Sequence, residues 1–499
     1  MANGLKRVQY RSDFVPPSDC DTVYYAEKDE AVAYMRLIAA IVVLTDGTTQ
    51  KITSPIVTSN GVGVAIWDES SNGGQGSWGA GESDEGLFIQ KEEISSLILP
   101  EGTIFMDDDF SNAFSYYDNL THVELPSDIT NIWDNMFYEC SNLEYVSFAG
   151  DISSISGYAF YECASLSSIT FTTDNITYIG DCVFYGCDAL RSINLESATA
   201  LSAIGESCFD GCGNLTHVDL PKNLSCLKDY TFRNCTSLTG ITIPSGVTYV
   251  ETSDYYGMNG LFSNCSNLTI IVFENGIGKI PDHICSGLGL KDVIIPNSAT
   301  NIGSYAFQSC SFLSGISFSE NINTIGDYAF TDCISLTNIN FNGNISYIGE
   351  KAFQGCDSLQ TVTFGGNVSI IFGDSFKICT ALTSVTFGGN VGCIGADTFQ
   401  ECDSLQTITF SGDVDEIQAY AFLGCSSLSS VMFNGNVSSI GDFAFSNCIS
   451  LSSITIPSSA THIGSDAFIG CENLSVINYS GSASGYPWGA PLLTEESSD

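Results

Sequence analysis

Basic side chains are the scarcest feature of this 499-residue chain: 15 Lys and Arg stand against 57 Asp and Glu, a formal charge of -42. A surface so negative repels phosphate backbones and anionic lipid, which argues against nucleic acid and membrane surfaces as partners. The deficit lies mainly after Lys91, where 8 basic residues face 45 acidic ones. Histidine is nearly as rare. The four are His122, His217, His283 and His462. His122 and His217 share a repeat position but lie four units apart, too far to meet at about 4.8 Å per unit. No CxxC pair, HExxH, P-loop or EF-hand spacing occurs, so no zinc site, other metal site or cofactor is expected, and no catalytic residue. The chain reads as a non-enzyme. Long apolar runs are missing too: the longest, Leu37 to Leu44, has eight residues, well short of a membrane span. Met1 to Asp19 carries early basic charge with no apolar core behind it, so no secretory leader is expected.

What the chain has in abundance is phenylalanine and cysteine at a fixed interval. Phe307, Phe330, Phe353, Phe376, Phe399, Phe422, Phe445 and Phe468 recur every 23 residues, each followed three residues later by a cysteine, Cys310 through Cys471. A period of 20 to 30 residues marks a solenoid, in which each unit buries its core against its neighbours. Extending the alignment back through Phe114, Phe137, Phe160, Phe184, Phe209, Phe232, Phe262 and Ile284 makes 16 units. The first has Tyr117 and the eighth Gly287 in the cysteine's place. In the unit starting at Ile325, Gly326 is expected to permit a sharp turn and Asp327 to cap a helical turn or two over Tyr328 to Cys333. Ile339 and Phe341 alternate inward as strand residues, Asn342-Gly343-Asn344 is a turn, and Ile345 to Ile348 a second extended segment. The expected fold is therefore α/β and strand-rich, a leucine-rich-repeat solenoid of about 16 coils behind a small β-rich N-terminal domain. Equivalent cysteines would point in parallel into the core, forming a ladder of buried reduced thiols rather than disulfides.

The recurring pattern, as in Ile440-Gly441-Asp442-Phe443-Ala444-Phe445-Ser446-Asn447-Cys448-Ile449-Ser450-Leu451, resembles the BspA-like leucine-rich repeats of bacterial and some protist surface proteins. The resemblance spans about Glu92 to Tyr479. It implies a leucine-rich-repeat solenoid and, more loosely, adhesion or recognition at a cell surface. Tyr10-Arg11-Ser12-Asp13-Phe14 resembles an opening of some virion proteins of phages infecting Bacteroidetes, which implies a tail or head appendage docking by its N-terminal domain. An intracellular scaffold fits the absent leader and the reduced thiols.

Three regions depart from the repeat. Residues 1–91 form the N-terminal domain, with a Gly/Ser-rich linker at Ser70 to Ser83. Gly74 to Gly79 matches GxGxxG literally but has no strand before it and no helix after it. Residues 480–499 are a C-terminal cap with Tyr486 and Trp488, followed by an acidic tail. Between Phe232 and Phe262 the spacing grows to 30 residues, through an inserted loop at 249–261 containing Tyr249, Tyr255, Tyr256 and Met258, and inserted loops of solenoids often carry binding. Asp107-Asp108-Asp109 reads as a solvated charge run rather than a calcium loop.

The outward strand positions form a nearly uncharged hydroxyl ladder. It comprises Thr361 and Thr363, Ser384 and Thr386, Thr407 and Thr409, Ser430 and Met432, and Ser453 and Thr455. Together with the inserted loop, this concave strand face is the candidate binding surface, for a protein or a glycan partner. The pattern leaves the oligomeric state open.

Overall fold

The computed structural model describes residues 39–53, 55–58, 61–68, 77–80, 88–100, 103–105, 111–169, 175–251 and 260–491. The chain divides into two compact units, Met1–Leu238 and Thr239–Asp499. It is a β-solenoid of about 16 turns. Among the described residues the only helical segment is a single 3-10 turn, Lys91–Glu93, which corrects the expected α/β class.

The reason lies in the turn that carries the phenylalanine. Tyr328 and Asp332 both have left-handed φ, 56° and 59°, so the chain between them cannot continue as a right-handed helix. Alternate amides leave the turn instead: the N–H groups of Tyr328, Phe330 and Asp332 donate to Glu350, Ala352 and Gln354 of the next coil at 2.9, 2.7 and 2.9 Å. Asp327 is no helix cap. Its Oδ1 accepts the Glu350 amide at 2.8 Å, tying coil to coil. Gly326 needs no unusual φ either. A Cβ there would sit 2.5 Å from the Ser304 nitrogen, so glycine is required for close approach of the preceding coil.

The core is two aromatic columns with a thiol column beside them. In the Thr239–Asp499 unit, Phe330, Phe353, Phe376 and Phe399 stack at centroid distances of 5.0, 5.0 and 5.2 Å. A second column of strand-end rings, Phe341, Phe364 and Phe387, stacks at 5.1 and 4.8 Å. The columns meet edge to face, as Phe341 does with Phe353 at 6.3 Å, a favoured aromatic arrangement. None of the 19 described cysteines forms a disulfide, and the ladder members are buried. They are more than small hydrophobes: Cys333, Cys379 and Cys402 donate S–H to the carbonyls of Phe307, Phe353 and Phe376 in the preceding coil at 3.1, 3.2 and 3.2 Å. Burial pushes the Cys140 and Cys310 thiols up to about 12. Cys20 lies outside the described residues.

The eighth coil is aligned one residue away from the expected place. Cys285 N–H donates to Ala306 at 2.9 Å just as Phe307 N–H donates to Ala329, and Leu288 N–H donates back to Cys285 at 3.2 Å. Cys310 Sγ donates to the Cys285 carbonyl at 3.1 Å. Cys285, not Ile284, therefore stands in the ring position, and Leu288, not Gly287, in the thiol position. A thiol is smaller than a ring, and Phe273 crosses the space to meet Phe307 edge-on at 6.5 Å, two coils on rather than one.

Most coils contribute two strands. Those of the second kind, from Lys279–Ile280 to His462–Ile463, make an unbroken nine-stranded parallel sheet. Those of the first kind break twice in the same unit: one sheet runs from Gly240–Ile243 to Gly315–Ser317, the next from Asn338–Phe341 to Ser430–Phe433, and the last pairs Ser453–Thr455 with Val476–Asn478. Both breaks fall where the turn chemistry changes. Ile322 N–H closes its own turn on Ser319 at 3.2 Å, whereas Ile345, Val368, Val391 and Val414 all donate to the next coil at 2.8 Å. Ala460 closes its own turn on Pro457 again.

The ends are covered. Ala39–Leu44 pairs antiparallel with Ile94–Ile98, so the first coil's edge strand is not left open. At the other end Trp488 is fully buried, and its carbonyl accepts the Phe468 amide at 3.0 Å, as a further coil would. Its indole N–H donates to Ser484 at 2.7 Å.

Candidate functional site

The hydroxyl ladder is assembled as its spacing requires. In the sheet from Asn338–Phe341 to Ser430–Phe433, Asn338, Thr361, Ser384, Thr407 and Ser430 stand in one register column, and Asn340, Thr363, Thr386, Thr409 and Met432 in the other. Period-two alternation turns these side chains away from the core; Val362, Val385 and Ile408 between them are buried. Thr361 Oγ1 donates to Asn338 Oδ1 at 2.7 Å. Tyr249 is exposed but belongs to Tyr249–Glu251, a strand of the second kind, so it does not share the sheet of the threonines. Tyr255, Tyr256 and Met258 lie outside the described residues, as do Asp107 to Asp109 and Tyr10 to Phe14. Part of the GxGxxG stretch forms the strand Ser77–Ala80, antiparallel to Gly61–Asp68.

Next along the same unit lies a feature that the sequence reading passed over. In the sheet from Gly240–Ile243 to Gly315–Ser317, outward positions hold Ile270, Val272 and Ile294, exposed by 59%, 49% and 81%. Val272 is register partner of Ile294, and Ile294 of Ser317. Equivalent outward positions elsewhere are mostly polar, as His122 and Glu124, Ser192 and Asn194, His217 and Asp219, and the threonines are; Tyr145, Met432 and Val476 are isolated exceptions in separate sheets. The signal was present in Ile270-Ile271-Val272, where three aliphatics interrupt the alternation, but a continuous apolar run does not tell which members face outward.

A groove of about 520 Å³ opens where this sheet stops and the next begins, with Ile294, Ile316, Phe318, Ser319, Asn338 and Asn340 in its wall. Ile316 is only half-buried, while its counterparts Ile339 and Val362 are closed off. The missing ladder between Gly315–Ser317 and Asn338–Phe341 lets the core show through. Ser319 Oγ is buried in the wall without a hydrogen-bond partner, and an unpaired buried hydroxyl costs about 1–3 kcal/mol.

His122 and His217 each meet a carboxylate of their own strand. His122 Nε2 lies 3.4 Å from Glu124 and its ring stacks on Tyr145 at 4.9 Å. His217 Nε2 lies 2.8 Å from Asp219. Among the described residues no group of three His, Cys, Asp or Glu side chains could hold a metal ion. No helix of these residues is long and apolar enough to cross a membrane.

Parallel strand-turn coils in register around paired aromatic columns define a leucine-rich-repeat solenoid. The chain belongs to the BspA-type leucine-rich repeat family, whose model matches residues 84–176, 153–261, 258–383 and 348–475. Among solved structures, a leucine-rich repeat protein from Bacteroides ovatus ATCC 8483 is similar at 23% identity and a TM-score of 0.50, covering 80% of this chain and 98% of that one. A leucine rich cell surface protein from Faecalibacterium prausnitzii A2-165 is 20% identical, covering 92% and 96%, with a TM-score of 0.34. The pneumococcal vaccine antigen PcpA is 18% identical, covering 78% and 99%, at 0.38. These likenesses concern the fold. No curated protein matches the chain.

Proposed function

We propose that this is a non-enzymatic recognition protein, displayed at a cell surface, which holds a protein partner against the first-kind strands of the Thr239–Asp499 unit. The observation that carries the reading is the exposed trio Ile270, Val272 and Ile294. The scaffold keeps its backbone nearly constant from coil to coil and places polar side chains at most equivalent positions. Three adjacent aliphatics at outward sites are thus not demanded by folding, and contiguous exposed apolar surface of this kind marks interaction sites. The polar columns from Asn338 to Ser430 supply the hydrogen-bonding flank that such interfaces carry around an apolar centre. Family membership supports recognition and surface display, and the charge of -42 favours a partner that is neutral or basic at the contact.

The test is binding of the full chain to a panel of purified cell-surface and extracellular proteins by biolayer interferometry. Ile294→Asp should weaken the interaction at least tenfold, and Ile294→Thr, which copies Thr363, by less. A panel without a binder, or a binder indifferent to Ile294→Asp, refutes the assignment.

A further inference from the structure

The residue directly after each core phenylalanine lies in the turn, buried at Ser115, Asp210, Thr331 and Ser446 and half-buried at Gln308, Gln354, Lys377 and Gln400. In the Thr239–Asp499 unit it is Gln308, Thr331, Gln354, Lys377 and Gln400 in five successive coils, so the fold does not require an aromatic ring there. In the Met1–Leu238 unit the same position is tyrosine three times running: Tyr138, Tyr161 and Tyr185. Their rings stack at centroid distances of 4.9 and 4.7 Å with interplanar angles of 4° and 7°. Tyr116 closes one end edge-on to Tyr138 at 5.5 Å, and Tyr158 leans on Tyr161 at 5.7 Å. These two flanking rings are 48% and 43% exposed. The column ends where Asp210 and Arg233 take the position, joined by a 2.7 Å hydrogen bond.

We propose that this turn edge is a carbohydrate-binding site, with Tyr138, Tyr161 and Tyr185 as the floor for a neutral oligosaccharide lying along the coil axis. Sugars present a rim of hydroxyls, and because the half-buried rings stack face on face the column offers ring edges and phenol oxygens, with carboxylate oxygens beside them, to complement it. Both kinds of group are here: Glu139 and Glu162 each follow a tyrosine of the column. Burial and a hydrogen bond with Glu139 push the Tyr138 phenol up to about 12, so it stays a donor at physiological pH. Near-parallel rings repeat their hydroxyls at the coil spacing, and the three together span roughly 10 Å, enough for two or three sugar rings. Stacking against neighbours immobilises the side chains before any ligand arrives, which lowers the ordering cost of binding. The flanking carboxylates repel sulfated and uronic-acid glycans. The edge carries phenols and carboxylates rather than exposed aliphatics, which distinguishes it from the Ile294 surface and favours a sugar over a protein.

The experiment is a glycan array followed by titration calorimetry on the full chain, using neutral gluco-, manno- and xylo-oligosaccharides with heparin and polygalacturonate as anionic probes. Tyr161→Gln copies Gln354 and should leave the thermal midpoint near that of the wild type while reducing affinity for the neutral ligand at least tenfold. Ile294→Asp should leave glycan binding unchanged, which keeps this site separable from the proposed protein-binding face. Absence of any neutral glycan ligand, affinity unaltered by Tyr161→Gln, preference for the anionic probes, or a protein ligand that is lost on Tyr161→Gln would overturn the assignment.

Discussion

Raising the pH should unfold this protein through its thiols. Twelve core cysteines (Cys140, Cys163, Cys187, Cys208, Cys212, Cys285, Cys310, Cys333, Cys356, Cys402, Cys425 and Cys448) hold their protons more tightly in the fold than the ordinary value of 9.0, chiefly because burial penalises the thiolate. A group whose folded pKa is raised contributes stability that is intact below its unfolded pKa and is lost as pH climbs towards the folded one. The window here opens near pH 9 and runs to about 12 for Cys140 and Cys310. At pH 10 each of these two favours unfolding by roughly 1–2 kcal/mol, and at pH 8 the effect is negligible. The other ten act with the same sign, against a total stability on the order of 5–15 kcal/mol for ordinary domains. Urea unfolding under reductant at pH 8 and pH 10 measures the effect, with thiolate absorbance reporting ionisation directly. Tyrosines also titrate in this range, so the decisive comparison is with the Cys140→Ala, Cys310→Ala double variant. Its baseline at pH 8 should be lower, yet its loss between pH 8 and pH 10 should be smaller by about 3 kcal/mol. Equal losses in the two proteins would show that these thiols are not shielded as argued.

Ile378 occupies a left-handed position, φ 59°, where Gly355 and Gly424 stand in other coils. Relief of about 1–2 kcal/mol of backbone strain outweighs the extra freedom that glycine gains in the unfolded chain, so Ile378→Gly should raise stability by about 0.5–1 kcal/mol; a lower urea midpoint would contradict this. Trp488→Ala should cost about 3–5 kcal/mol, because it removes a buried ring packed on Tyr479 at 5.3 Å and uncovers the last coil. Thermal unfolding read against a distant surface variant checks it, and a midpoint within error of the wild type would exclude capping by Trp488.

Much of the core was legible because a repeat shows the same demand many times over. Phe330, Cys333, Leu336 and Ile339 are all buried, as their recurrence requires. The turn was not legible. Asp327 followed by Ala329, Phe330 and Cys333 reads as a capped amphipathic helix, and only the amides of the adjacent coil convert it to paired turns. Nor could a one-dimensional alignment place the eighth coil, where Ile284 matches phenylalanine in size but the backbone pairing puts Cys285 in its column. The threonine columns were legible from period-two spacing. The Ile270, Val272 and Ile294 patch was not, because which aliphatics face outward depends on strand register, and the groove beside it depends on a ladder that fails to form.

By itself the sequence determined the solenoid, its period, its number of coils and the residues that fill it, since a 23-residue recurrence of aromatic, thiol and leucine admits few other ways to bury them. Tertiary structure decided what lies between coils: left-handed turns instead of helices, thiols that donate to phenylalanine carbonyls, and a first-kind sheet that parts where one turn type gives way to another. Those are contacts between residues more than twenty positions apart, and local sequence does not specify their hydrogen bonds. The candidate surfaces draw on both: the sequence puts Ile294 and Tyr161 where other coils carry Thr363 and Gln354, and coil stacking exposes the first and aligns the second with its neighbours.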